Sequence, residues 1–190
     1  MAAPERGGAP SGVAVTEAER DDIGELWAVQ RAAYVDEAQI YGDPFVLPLT
    51  ESRGQLLRAV DGGAVLLKAV AGGRIVGGAR GKAVGSAATV ARLFVAPDRR
   101  REGIGAALLA EMERRLLAAD PPPAAITLST GHGGRAAPEL LLAAGYRQTH
   151  REALHDHLTL LHFRKEAGEA AEVRRPRAGG PGEPVQERVP

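Results

Sequence analysis

The residues with most chemical content lie in one stretch near the middle of the chain, Leu93-Phe-Val-Ala-Pro-Asp-Arg-Arg-Arg-Glu-Gly-Ile-Gly-Ala-Ala-Leu108. An apolar strand there runs through a polar loop into a helix whose first turn holds Gly103 and Gly105. A helix start leaves backbone N–H groups unpaired and carries about half a positive charge, so a phosphate placed there satisfies both. The two glycines let backbone approach a ligand closely, and Arg100 and Arg101 add local charge that suits a diphosphate. The competing reading is a plain loop with solvated arginines and glycines that ease helix packing. The stretch is neither a dinucleotide fingerprint, because Leu108 stands where its third glycine belongs, nor a Gly-Lys-Ser/Thr phosphate loop.

An anion site here has to be local, because 24 Lys and Arg balance 24 Asp and Glu over 190 residues. A net charge of zero gives no global field toward nucleic acid or an anionic membrane. The absence of cysteine excludes disulfides and thiolate chemistry and fits a reducing compartment, with the cytoplasm as the expected location. The opening MAAPERGGAPSG has no apolar core of a signal peptide, and no segment approaches the roughly 20 apolar residues needed to span a bilayer.

The elements that must position this loop are readable from periodicity. Residues 1 to 12 and 165 to 190 are rich in Ala, Gly, Pro and charge and are expected to be disordered, leaving 13 to 164 as one working domain. Val13 to Val15 reads as a strand, and Thr16 with Glu19 has the spacing of a capping box for a helix carrying Ile23, Leu26, Trp27, Gln30 and Tyr34. A second helix is expected after Thr50, ending before Asp61-Gly62-Gly63. Strands follow over Ala64 to Val70, Ile75 to Val84 and Ala88 to Val95, the first two joined by Ala71-Gly72-Gly73-Arg74. Ile104, Leu108, Met112 and Leu116 recur every four positions on a long helix. A strand from Ala125 to Leu128, a short helix from Pro138 to Ala144 capped by Gly145, and two last strands complete the order β α α β β β α β α β β. That order predicts an α/β (α+β) fold with one mixed, mostly antiparallel sheet of about seven strands and helices on both faces.

With these residues in place, the chain resembles the GCN5-related N-acetyltransferase (GNAT) family over residues 13 to 164. Arg100-Arg-Glu-Gly103-Ile-Gly105 matches its motif of Arg or Gln, two residues, Gly, one residue, then Gly or Ala. Val95-Ala-Pro97 matches the Val-x-Pro upstream of that motif, and Gly145-Tyr146 a late Gly-aromatic pair. The resemblance implies acetyl-CoA as acyl donor, its pantetheine arm along the backbone of Phe94 and Val95. Its pyrophosphate would lie on main-chain groups of Arg100, Arg101, Glu102, Gly103, Ile104, Gly105 and Ala106. The implied reaction is direct attack of a primary amine, on a small molecule or a protein, at the thioester carbonyl, with neither metal nor covalent intermediate. A homodimer is compatible with the resemblance.

The chain departs from the family where proton transfer is concerned. Thr89 stands about where a glutamate is frequent, and Leu141 where a tyrosine serves as acid. An amine with a pKa near 10 is mostly protonated at neutral pH, so a base is needed. Glu37 and His132 are the candidate catalytic residues, and Tyr34, Glu37 and Tyr41 the candidate acceptor-binding ones, His132 lying in the glycine-rich Ser129-Thr-Gly-His-Gly-Gly loop at a strand end. The segment from Tyr34 to Pro48 reads as a pocket wall or a lid packed by Tyr41 and Phe45. His150, His155 and His157 lack the spacing of a zinc site; strand alternation would set His155 and His157 on one face. The missing groups leave a second expectation, an acyl-CoA-binding or regulatory module of weak catalytic power, and a third, a structural protein with an incidental loop.

Overall fold

The computed structural model of the chain describes residues 9–168. Its strands are β1 (Val13–Glu17), β2 (Val65–Ala71), β3 (Arg74–Val84), β4 (Ala87–Val95), β5 (Ala125–Gly131), β6 (Arg147–His155) and β7 (Leu158–Glu166). The helices are α1 (Ile23–Tyr41), α2 (Leu47–Thr50), α3 (Arg53–Asp61), α4 (Ile104–Leu116) and α5 (Ala136–Ala143). One seven-stranded sheet has the order β1-β2-β3-β4-β5-β7-β6. Only β4 and β5 run parallel, and α4 is the crossover between them. The mixed, mostly antiparallel sheet read from the sequence is the one observed.

The two faces of the sheet bury different stripes. On one, Leu108, Leu109, Met112 and Leu116 of α4 meet Val76, Ala79, Val90 and Ile126 of the strands. Leu108 and Met112 are 0% exposed, each burial stabilising by roughly 1.5–3 kcal/mol. On the other face Ile23 and Leu26 of α1 and Leu56 of α3 cover Leu66, Ile75 and Phe94.

The phase of β4 between those faces changes at a decisive place. Arg80 pairs with Arg92 and Gly81 with Val90, so Ala91 is an extra residue, a bulge in β4. Before it the even positions Ala88 and Val90 point to α4; after it the odd positions Leu93 and Val95 do, and Phe94 turns to α1. Arg92 therefore shares the α1 face with Phe94.

Several expectations are corrected. Thr16 lies within β1 rather than capping a helix; the capping box is formed by Glu19 and Asp22, around a 3-10 turn that leads into α1. The helix after Thr50 is capped by Ser52, whose hydroxyl accepts from Gln55 N–H at 3.2 Å, and the four-residue α2 precedes it. Tyr34 to Tyr41 is helical, and Phe45 is 76% exposed, so Phe45 does not pack a lid. Lys165 and Glu166 extend β7, so the sheet reaches past the expected boundary at 164, while 1–8 and 169–190 of the expected tails lie outside the described residues. His157 sits in the β6–β7 turn, which brings its ring to 5.6 Å from that of His155 by reversal of the chain, not by strand alternation. Among the described residues no helix is long and apolar enough to cross a membrane.

Candidate active site at the splayed strands

The parallel pairing of β4 with β5 stops at Val90↔Leu128. Beyond it β4 continues along β3 to Val95, so its edge toward β5 is open over five residues, Ala91 to Val95. A small cleft of about 50 Å³ occupies this opening. It is lined by Arg92 and Leu93 of β4, Ser129 and Thr130 of β5, Tyr34 of α1 and Leu141 of α5. Because α1 lies on one face and α5 on the other, the cleft joins the two sides of the sheet.

Alternation decides which main-chain groups face the opening. The Ala96 N–H donates to the Val76 carbonyl at 2.9 Å, toward β3. In an antiparallel ladder alternate residues turn their N–H and C=O the same way, so Phe94 also faces β3 while Leu93 and Val95 face the splay. The Leu93 carbonyl, 3.5 Å from the Tyr34 hydroxyl, agrees with this. Of the two residues expected along the thioester arm, Val95 presents its main-chain groups to the opening, as Leu93 does, whereas Phe94 turns its own to β3 and its side chain to the core.

At the far end of the cleft edge, a 3-10 turn (Pro97–Arg99) leads to α4. The first helical bond there is Ala107 N–H to the Gly103 carbonyl at 3.1 Å, so the N–H groups from Gly103 to Ala106 have no acceptor within the helix. Gly103, at φ +82, makes the entry turn that an L side chain rarely adopts. Arg101 is also left-handed at φ 64, a conformation that costs of order 1 kcal/mol or more outside glycine. The loop is held by its neighbours. Arg99 binds Glu102 with contacts of 2.8–3.0 Å, and Arg100 reaches back to Asp36 and to the Ala33 carbonyl at 2.8 Å. Among the described residues, Arg101 is the loop arginine with no ion pair, so it alone offers an uncommitted guanidinium at the helix start.

At the other end, α1 supplies Tyr34, Glu37 and Tyr41. Burial pushes the Tyr34 phenol up to about 12, the Glu37 carboxylate adding to the shift. Burial also raises Glu37 above the ordinary carboxylate range, against the opposing charge of Arg92. Tyr41 accepts the Gly133 N–H at 2.7 Å. A methyl at Gly131 would sit 2.2 Å from the Tyr41 hydroxyl and 2.9 Å from Glu37 Oε1, so glycine there is what lets α1 press both groups onto the end of β5. His132 is more exposed. Its Nδ1 lies 3.2 Å from both the amide and the carbonyl of Thr159, and its ring is 5.4 Å from that of Tyr41. It ties β5 to β7 and, like Glu37 and Tyr41, does not itself line the cleft.

Thr89 and Leu141 occupy the positions of the departures noted above. Thr89 lies 3.1 Å from Thr127 across the β4–β5 pair, and Leu141, 1% exposed, contributes only methyl groups to the cleft wall. Three charged residues were not anticipated: Glu51, Arg80 and Arg92. The signal for the arginines was a charge in the middle of each of two otherwise apolar strand runs.

With this geometry established, comparison with known proteins is decisive. The family model for the acetyltransferase (GNAT) domain matches residues 36–167, more than half of the chain. The chain belongs to the GNAT acetyltransferase family. This GNAT protein is accordingly an acyltransferase, and solved structures share its fold. The ribosomal-protein-S18-alanine N-acetyltransferase of Escherichia coli superposes with a TM-score of 0.63 at 16% identity, covering 81% of this chain and 93% of that one. The PaiA N-acetyltransferase of Thermoplasma acidophilum, in complex with coenzyme A, gives 0.63 at 17%, covering 79% and 97%. NAA60 of Arabidopsis thaliana, in complex with a bisubstrate analogue, gives 0.65 at 17%, covering 81% and 97%. At these identities the likeness is one of fold. No curated protein matches the GNAT sequence significantly.

Proposed function

We propose that the protein transfers the acetyl group of acetyl-CoA to a primary amine of a small molecule or protein, by direct attack in a ternary complex. The observation that carries this reading is the open edge of β4. Its Val95 end leads to the unpaired N–H groups of α4, and its Ala91 end to Tyr34 and Arg92, with Glu37 one turn along α1 from Tyr34. The donor set fits the co-substrate. N–H groups at a helix start suit a diphosphate, and the strand edge at Leu93 and Val95 suits an amide-bearing arm, which can pair with it as an added strand would. The coenzyme A complex of PaiA and the bisubstrate complex of NAA60 support the same donor class and the ternary arrangement. Bound in this way, acetyl-CoA supplies a thioester carbonyl open to nucleophilic attack.

The residues then have separable tasks. Glu37, raised above the ordinary carboxylate range, is a better proton acceptor than an exposed glutamate and takes a proton from the incoming ammonium, directly or through one water. The outward N–H groups of the splayed β4 edge hydrogen-bond the oxyanion as it forms. Tyr34 has a pKa of about 12 against about 8.5 for a thiol, so outright proton transfer to the thiolate is uphill. Tyr34 steadies the leaving sulfur as a hydrogen-bond donor instead. The second proton of the amine ends on sulfur, giving amide and free thiol. His132 and Tyr41 position Glu37 from the β5 end. The working unit is the folded segment from Val13 to Glu166, in the cytoplasm.

The second reading, an acyl-CoA-binding module of weak catalytic power, is favoured by Thr89 and Leu141, which place no titratable group where the family resemblance expects one. A thiol-release assay with acetyl-CoA against amino acids, polyamines, aminoglycosides and peptides separates the two. Amine-dependent release, absent in Gly105→Glu, supports the enzyme; no release with any amine supports the module.

A further inference from the structure

On the α1 face of the sheet next to the cleft, Arg80 and Arg92 lie near two carboxylates, those of Glu51 and Glu37. Arg80 and Arg92 are register partners on β3 and β4, and both reach toward the Glu51 carboxylate. Both of its oxygens are already engaged. Arg80 Nη1 forms an ion pair with Oε1 at 2.8 Å, without hydrogen-bond geometry, and Gln30 Nε2 donates to Oε2 at 2.9 Å. Arg92 Nε is left 3.9 Å from Oε2, beyond hydrogen-bond distance, and is a buried nitrogen without a hydrogen-bond partner among the described residues. Arg92 Nη1 donates to the Ala91 carbonyl at 2.7 Å, at the bulge itself.

An enclosed guanidinium whose nearest carboxylate is taken by another arginine is costly unless an anion completes it. Arg92 lines the cleft, on the same opening as Tyr34. Glu37 offsets it only in part, because a carboxylate that accepts the amine proton becomes neutral during the reaction. The bulge at Ala91 turns Arg92 toward this opening; a regular strand would send it to the α4 side, into the core.

Resting on the reaction proposed above, we propose that the acceptor is a primary amine that also carries a carboxylate, and that Arg92 is the specificity-determining residue that binds it. The ammonium goes to Glu37 and the carboxylate to the guanidinium of Arg92, so the acceptor binds as a zwitterion across the cleft. Such a carboxylate can belong to a free amino acid or to an acidic side chain next to a peptide amino terminus.

Matched amine pairs test this. Glycine is compared with glycinamide, and glycyl-glutamate amide with glycyl-glutamine amide, under acetyl-CoA saturation. The expected result is a preference of about tenfold to a hundredfold in kcat/KM for the carboxylate member of one pair, expressed mainly in KM. Which pair shows it distinguishes the two sources. Arg92→Gln should reduce the preference to within about twofold, and Arg92→Lys should keep part of it. Equal rates within both pairs, or a preference that survives in Arg92→Gln, would overturn the proposal. A calorimetric arm is independent of turnover: the coenzyme A-loaded protein is titrated with N-acetylglycine and N-acetylglycinamide, and with the N-acetylated forms of both dipeptide amides. A carboxylate that binds at least tenfold tighter in one pair, and no tighter in Arg92→Gln, upholds anion selection even if acetyl transfer fails. No difference in either pair refutes it even if transfer succeeds.

Discussion

The Gly133 amide donates to the Tyr41 hydroxyl at 2.7 Å, and so the last turn of α1 is fastened to the loop that ends β5. The bond spans 92 residues of sequence and fixes the wall on which Glu37 stands. Tyr41→Phe leaves that amide without its acceptor, and the loss of a partly buried hydrogen bond should lower the unfolding free energy by about 1–2 kcal/mol. Urea denaturation measures this, with kcat/KM falling as Glu37 loses its support.

Gly131→Ala should be worse than its small volume indicates. The added methyl would lie 2.2 Å from the Tyr41 hydroxyl and 2.9 Å from Glu37 Oε1, so α1 must move. A cost of about 1–3 kcal/mol is expected, together with a drop in turnover that exceeds any change in acetyl-CoA affinity. Parallel thermal unfolding and calorimetry separate the two effects.

Glu37 carries a prediction in which stability and activity move in opposite directions. Its carboxyl is raised by burial, so the folded protein binds that proton more tightly than the unfolded chain does. Wild-type stability should therefore fall as pH rises from the ordinary carboxylate range through the raised value, and Glu37→Gln should lack that decline. The variant should be at least as stable as wild type at pH 7 while losing about 10²–10⁴ in kcat/KM. The wild-type acid limb of kcat/KM should lie above the ordinary glutamate pKa and vanish in the variant. Chemical denaturation and rate measurements across pH 4 to 8 read all three.

Lys165 is the last buried charge of the sheet. Its ammonium lies 2.8 Å from Glu113 Oε2 and 5.5 Å from the centre of the Tyr146 ring, with Lys165 7% and Glu113 9% exposed. Lys165→Met alone strands the Glu113 carboxylate in the core and should cost about 3–5 kcal/mol. Replacing both, as Lys165→Met with Glu113→Leu, should recover most of that loss. Equilibrium unfolding of these two variants, of Glu113→Leu alone and of wild type forms the cycle.

The same pair illustrates what the sequence could disclose. A lysine before a Glu-Ala-Gly run reads as the start of a tail, because its partner is 52 residues away and only the folded sheet brings them together. Ala91 was equally hidden: a bulge exists only relative to the register of β3, and without it Arg92 would be assigned to the wrong face. Glu51, Arg80 and Arg92 come from three separate segments, so no spacing rule gathers them. The four-residue α2 is too short for any period to reveal. By contrast, the strand, loop and helix start proposed to hold the donor were legible as elements because they are contiguous. Strand, loop and helix start follow one another from Leu93 to Leu108, and the four-residue stripe of α4 fixed where the free N–H groups had to be.

The central claim is that the start of α4 holds a diphosphate. Gly105 is the position at which to test it, because a Cβ there meets Leu140 and Val95 only at 3.4 and 3.7 Å, ordinary contact distances that leave the fold intact. A glutamate at that site puts bulk and negative charge among the N–H groups meant for phosphate. Isothermal titration of acetyl-CoA into wild type and Gly105→Glu, with matching circular dichroism spectra as the check on folding, is the direct measurement. Binding by wild type and a loss of at least a hundredfold in the folded variant are predicted; equal affinity in the two proteins would contradict the account.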